Sequence, residues 1–181
     1  RIKMGKKWLV VLLLFLIINS SVKSEEDEGV ETGTLNCNQV KNEMITEASV
    51  IIRVVEKSDN VFLFYGNTVV QLKLSTLRMS LKKGQEWSKQ ATEKGVELNK
   101  IISTDEGRGI QWMNKFISVD MTVDYKFFNK QPPYKMALIF SEVTAKGAVP
   151  FKANSILLTD SGMAALLTAT TPERVKEYKK K

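Results

Sequence analysis

The stretch ISVDMTVDYKF, Ile117 to Phe127, alternates without a break: Ile117, Val119, Met121, Val123, Tyr125 and Phe127 are apolar, and Ser118, Asp120, Thr122, Asp124 and Lys126 are polar. Successive side chains of a strand point to opposite faces, so this pattern predicts a strand with one dry and one wet face. That arrangement belongs to an antiparallel sheet rather than to a parallel one buried on both sides. Asn129 to Pro133 carries turn residues, and Lys135 to Val143 reads as the returning strand.

Upstream, Val61 to Tyr65 and Thr68 to Leu74 flank Gly66-Asn67. A glycine-first pair between two β-rich runs predicts a hairpin, because glycine accepts the positive φ of a tight turn. Leu77, Met79 and Leu81 continue the alternation with shifted parity, as a bulge or a third short strand does. Val40, Met44, Ala48, Ile51 and Val55 recur at spacings of four, four, three and four, the stripe of an amphipathic helix from Asn38 onward. A second helix is predicted from Gln85 to Ile102, with Trp87, Ala91, Leu98 and Ile102 near one face and Gly95 allowing close packing. Asp105-Glu106-Gly107-Arg108-Gly109 reads as a turn. Ser155 to Thr159 and Met163 to Ala169 read as a pair of strands around Asp160-Ser161-Gly162, and Thr171-Pro172 as the start of a short C-terminal helix. The expected fold is α+β: an antiparallel sheet of about six strands, two main helices beside it and a short C-terminal helix.

The ends of the chain point to organisation and compartment. Met4-Gly5-Lys6-Lys7 is a basic start, Trp8 to Ile18 (WLVVLLLFLII) an unbroken apolar run, and Val22 and Ser24 are small residues in a polar exit. This is the pattern of a signal peptide over residues 1–24, cleaved near Ser24. A membrane span needs roughly 20 apolar residues, so the run is too short for a stable anchor. Residues 25–36 read as an acidic flexible linker and 37–181 as a single α+β domain. The expected location is periplasmic or extracellular. Beyond the leader no Asn-x-Ser/Thr acceptor occurs, which favours a bacterial envelope over a eukaryotic secretory route.

The leader also carries much of the charge. Of 27 basic residues, five (Arg1, Lys3, Lys6, Lys7 and Lys23) precede Glu25, and all 20 acidic residues follow them, so the overall +7 falls to +2. A near-neutral exported chain gives no reason to expect a nucleic-acid partner. The acidity is local, in Glu25, Glu26, Asp27, Glu28 and Glu31. That start reads as a solvated, disordered linker, with a self-docking acidic tail as the alternative.

The chain contains no histidine and one cysteine, Cys37. This removes Ser-His-Asp and Cys-His catalysis, histidine metal sites and Cys-x-x-Cys redox pairs. Intramolecular disulfides are excluded, and Cys37 reads as a buried thiol or an intermolecular bridge. Ser80-Leu81-Lys82-Lys83 matches Ser-x-x-Lys and Ser58-Asp59-Asn60 matches Ser-Asp-Asn, but their order is reversed and no Lys-Thr-Gly follows. Asp120 and Asp124 share a strand face about 13 Å apart, beyond the span used by paired catalytic carboxylates. Asp105-Glu106 lacks the spacing of a calcium loop, and Gly107-x-Gly109 that of a nucleotide loop.

No residue is therefore assigned a catalytic, cofactor-binding or metal-binding role. Trp87, Trp112 and the Phe62, Leu63, Phe64, Tyr65 group are the aromatic candidates for a cleft or docking surface, if they do not serve the core. Because Phe62 and Phe64 oppose Leu63 and Tyr65, both faces of that strand must be covered. The expected function is a non-enzymatic binding or interaction protein, with a protein partner or an apolar ligand. The alternatives are a carrier of a lipid or other apolar ligand and a histidine-free carboxylate hydrolase.

Overall fold

The computed structural model describes residues 29–41, 44–66, 68–112, 116–142 and 155–180. The expected leader and residues 25–28 of the expected linker lie outside them. The elements in chain order are β1 (Val30–Lys41), β2 (Met44–Val55), β3 (Asn60–Tyr65), β4 (Thr68–Lys73), α1 (Leu74–Lys94), β5 (Asn99–Trp112), β6 (Phe116–Phe128), β7 (Met136–Glu142), β8 (Ser155–Leu158), α2 (Asp160–Ala169) and α3 (Pro172–Tyr178). A 3-10 turn, Glu56–Ser58, joins β2 to β3. The fold is α+β, with one antiparallel sheet whose spatial order is its sequence order, and β8 returns to β1 to close the ring.

Alternation in β6 builds one wall as its sequence requires. Val119, Met121, Val123, Tyr125 and Phe127 face inward and are buried, while Ser118 and Asp120 on the outer face are exposed. Eight strands leave an interior that side chains can just fill. Tyr125, Phe127, Phe140, Leu63, Met121 and Met136 are fully buried there. The three helices gather at the end where β6 and β8 finish and β5 and β7 begin. Trp87 of α1 meets Phe127 edge-on, with ring centroids 6.0 Å apart. The Ser80 and Ser103 hydroxyls lie 2.6 Å apart. Gly84 permits this approach, since a Cβ there would stand 3.0 Å from the Met163 sulfur and 3.2 Å from that of Met136.

Several expectations are corrected. The stripe from Asn38 to Val55 is not a helix but the second half of β1 and all of β2. A spacing of four is a multiple of two, so it fits one strand face as well as a helix face. The β-branched run decides for the strand, with Val50, Ile52 and Val54 each 1 % exposed. Residues 30–36, expected in the linker, are the first part of β1.

Leu77 to Leu81 lies in α1, not in a strand; Leu74, Leu77, Leu81, Gly84, Ser88 and Ala91 form its buried stripe. That helix stops at Lys94 rather than Ile102, because Gly95 takes the left-handed conformation (φ 62°) and its N–H closes onto Ala91 O. The expected turn at Asp105–Gly109 is the middle of β5. Gly107 serves a close strand approach: a Cβ there would lie 2.8 Å from the Gln71 carbonyl oxygen. Met163–Ala169 is helical within α2, whose N-cap Thr159 accepts a hydrogen bond from Gly162 N. The β3–β4 hairpin, the β7 return and α3 with Thr171 as its cap stand as read.

Candidate binding surfaces

The residues with apparent catalytic motifs are put to structural use. Ser80 is buried in α1 and hydrogen-bonds Thr76 O and Ser103, whereas Lys83 is exposed and paired with Glu86 at 3.2 Å. Asp59 takes a left-handed conformation (φ 53°) and caps α1 from the connection between β2 and β3. Its carboxylate accepts from Ser75 N at 2.9 Å and from the Ser75 hydroxyl. Lys73, the N-cap residue itself, offers no side-chain cap. Asp120 and Asp124 stand on the wet face of β6; Asp120 faces Arg108 Nε at 3.5 Å, and Asp124 accepts from the Thr104 hydroxyl at 2.6 Å. Among the described residues no cluster of three or more Cys, Asp or Glu side chains is placed to hold a metal ion.

Asp105 points inward from β5 and meets Lys73 Nζ at 3.0 Å. Burial alone would raise its pKa, but hydrogen bonds from Thr76, Lys73 and the Glu106 N–H outweigh it and hold the carboxyl below its usual range. Two tyrosine hydroxyls inside the barrel, those of Tyr65 and Tyr125, have no hydrogen-bond partner among the described residues. Burial raises both pKa values, aided by Cys37 at Tyr65 and by Asp105 at Tyr125. Burial also pushes the Cys37 thiol up to about 11, so near neutral pH it is a poor nucleophile.

Among the described residues β1 and β8 pair from Asn38–Leu157 to Val40–Ser155, and α2 and α3 also pack against β1. A groove of about 540 Å³ opens at this seam, lined by Asn36, Asn38, Glu47, Tyr134, Leu157 and Thr159 among others. Asn38 donates to the Tyr134 hydroxyl across it. Nothing local in the sequence marks this groove, because its walls come from distant segments that meet only when the ring closes.

A second surface lies on the outside of β2–β5. Register places Ile51 beside Phe64, Phe64 beside Val69, and Val69 beside Ile110, one apolar row across four strands. Phe62 extends it. These residues form a cluster separate from the barrel core, with Phe62 8 %, Phe64 4 % and Val69 0 % exposed. The described helices make their main strand contacts on β1, β8 and β4–β6. The sequence disclosed Phe62 and Phe64 but not Ile51, Val69 or Ile110. The double-apolar pairs Ile51-Ile52 and Val69-Val70 are the signal that was available. Of the other aromatic candidates, Trp87 serves the core against Phe127, and Trp112 is the last residue of β5.

These features define a helix-capped, eight-stranded antiparallel barrel carrying an apolar row outside its wall. No family model matches the chain, and no curated protein or solved structure is detectably similar to it. None of the described helices is long and apolar enough to cross a membrane.

Proposed function

We propose that this is an exported, non-enzymatic binding protein and that the outer row Ile51–Phe64–Val69–Ile110 is its docking surface for a protein partner. The observation that carries the reading is that row itself. A barrel needs one apolar face per strand, and the inner face of β3 already supplies it. A contiguous outer apolar row is spare to the barrel, and with Phe62, Phe64 and Val69 8 %, 4 % and 0 % exposed it serves docking as the apolar floor of a surface rather than as an open patch. Export rests on the basic start and apolar run of residues 4–18. The binding reading gains support from the use of Ser80, Asp59, Asp120 and Asp124 in packing, capping and surface pairs.

A second reading, carriage of a small ligand, is favoured by the Tyr65 and Tyr125 hydroxyls inside the barrel, which have no hydrogen-bond partner among the described residues. Native mass spectrometry of the protein purified from its source separates the two. The docking reading expects a protein complex that is lost in Phe64→Asp and kept in Asp120→Asn. A bound small molecule in place of a protein, or a complex indifferent to Phe64→Asp, overturns it.

A further inference from the structure

Strand β2 outlasts one of its neighbours. It pairs with β1 over its length, from Lys41–Met44 to Val30–Val54, but with β3 only from Ile51–Phe64 to Val55–Asn60. β3 ends at Tyr65, where Gly66 in a left-handed conformation (φ 61°) turns the chain toward β4. The edge of Met44–Ser49 on the β3 side therefore has no strand partner among the described residues. Every second residue of an antiparallel strand directs both its N–H and its C=O to one edge, so about 20 Å of strand presents backbone donors and acceptors there. Met44 is 64 % and Ile45 56 % exposed, Thr46, Glu47 and Ser49 are exposed, and Ala48 is half-buried.

Free sheet edges are ordinarily blunted by lysine, proline or a bulge, or covered by a helix. Met44–Ser49 contains no lysine, proline or glycine, and its register against β1 is unbroken. The edge is also complementary to itself. Val50 and Ile52 face the barrel interior, so by alternation Met44, Thr46 and Ala48 share the inner face, and Ile45 and Glu47 the outer one. Two copies related by a two-fold axis normal to the sheet keep their faces, so only residues of the same face can stand opposite one another. A centre at Glu47 would set two carboxylates face to face, which is destabilising. A centre at Ile45 would engage only Met44 to Thr46. A centre at Thr46 engages Met44 to Ala48 and keeps the two carboxylates apart.

We propose that a second copy of this chain adds its own Met44–Ala48 to this edge, antiparallel and centred on Thr46, so that the two sheets become continuous. Thr46 then stands opposite Thr46 of the second copy, Ile45 opposite its Glu47, and Met44 opposite its Ala48. Main-chain hydrogen bonds supply the attraction, as in other strand additions, and threonine beside threonine is a favourable cross-strand pair. The interface uses none of Ile51, Phe64, Val69 and Ile110, so it goes beyond the docking reading and leaves that row free for another partner.

Sedimentation velocity of the full chain should show a dimer at about 100 μM that dissociates by about 1 μM, in keeping with a small interface. Ile45→Lys places an edge-blocking charge on an exposed position and should weaken association at least about ten-fold. A chain that stays monomeric throughout overturns the proposal. So does a dimer that is kept in Ile45→Lys and lost in Phe64→Asp, which would put the second copy on the outer row. Register is read in a Cys37→Ser background with oxidised glutathione as the oxidant. Thr46→Cys should give a disulfide-linked dimer at least about ten times faster than Met44→Cys, because the two copies of position 44 are offset by about 13 Å along the strands, beyond the disulfide reach of about 7 Å. Equal rates, or a faster bridge in Met44→Cys, overturn the proposal.

Discussion

Strands β3 and β6 stand in the same barrel wall and follow different rules. β6 keeps Val119 to Phe127 inside and a polar face outside, where Asp120 and Asp124 find only surface partners. β3 buries both faces: Val61, Leu63 and Tyr65 within, Phe62 and Phe64 without. The inner face of each strand is what closure of the barrel demands. The outer face of β3 is buried beyond that demand, in a cluster separate from the barrel core, where the outer face of β6 stays wet.

The largest break in the comparison comes from its shared term. Leu63→Ala should cost about 3 kcal/mol, seen as a lower denaturation midpoint at unchanged slope, because a fully packed side chain leaves a cavity. Phe64→Ala sharpens the contrast: in the full chain it should cost about 2 kcal/mol, while Thr122→Ala on the outer face of β6 should stay within about 0.5 kcal/mol. Equal and small costs for the two would make the outside of β3 an ordinary wet wall.

A smaller effect tests how the β2–β3 connection positions α1. Asp59→Ala removes the carboxylate that accepts from the Ser75 N–H and leaves a side chain in a left-handed site without the bonds that compensate for it. It should lower stability by about 1 kcal/mol in the same denaturation assay.

The smallest effect is in acid. The Asp105 carboxyl is held below its ordinary range in the fold, so its ionised form favours folding. That contribution is complete above the ordinary carboxylate range near about pH 4 and fades as pH falls through the lowered folded value. The melting temperature of the wild type should exceed that of Asp105→Asn at neutral pH, and the gap should narrow as acid is added. A gap that widens in acid would mean that burial, not the Lys73 and Thr76 contacts, governs this carboxyl.

Legibility in the sequence followed the kind of interaction. β6, the β3–β4 hairpin and the Thr171-Pro172 helix start are local patterns, and each was readable from its own residues. The stripe of Val40, Met44 and Ala48 was readable as an apolar face but not as helix or strand, since its spacing satisfies both periods. Leu77 to Leu81 failed in the other direction: three residues of apparent alternation, Leu77, Met79 and Leu81, belonged to a helix whose buried stripe also used Ser80, Gly84 and Ser88. Of the outer surface, Phe62 and Phe64 were visible as a strand needing cover on both sides. The row they join was not, because it depends on which residues of β2, β4 and β5 stand in register beside them.

By itself the amino-acid sequence determined the α+β class, the antiparallel sheet, the absence of histidine chemistry and of intramolecular disulfides, and the two-sided burial of β3. These follow from side-chain period and composition, which need no knowledge of distant neighbours. Only the tertiary structure decided that the sheet closes on itself, that α1 is capped by Asp59 and halted at Gly95, and that Ile51, Phe64, Val69 and Ile110 form one row. Ring closure and strand register are set by pairings between segments far apart in the chain, and a one-residue slip in any of them would turn that row inward.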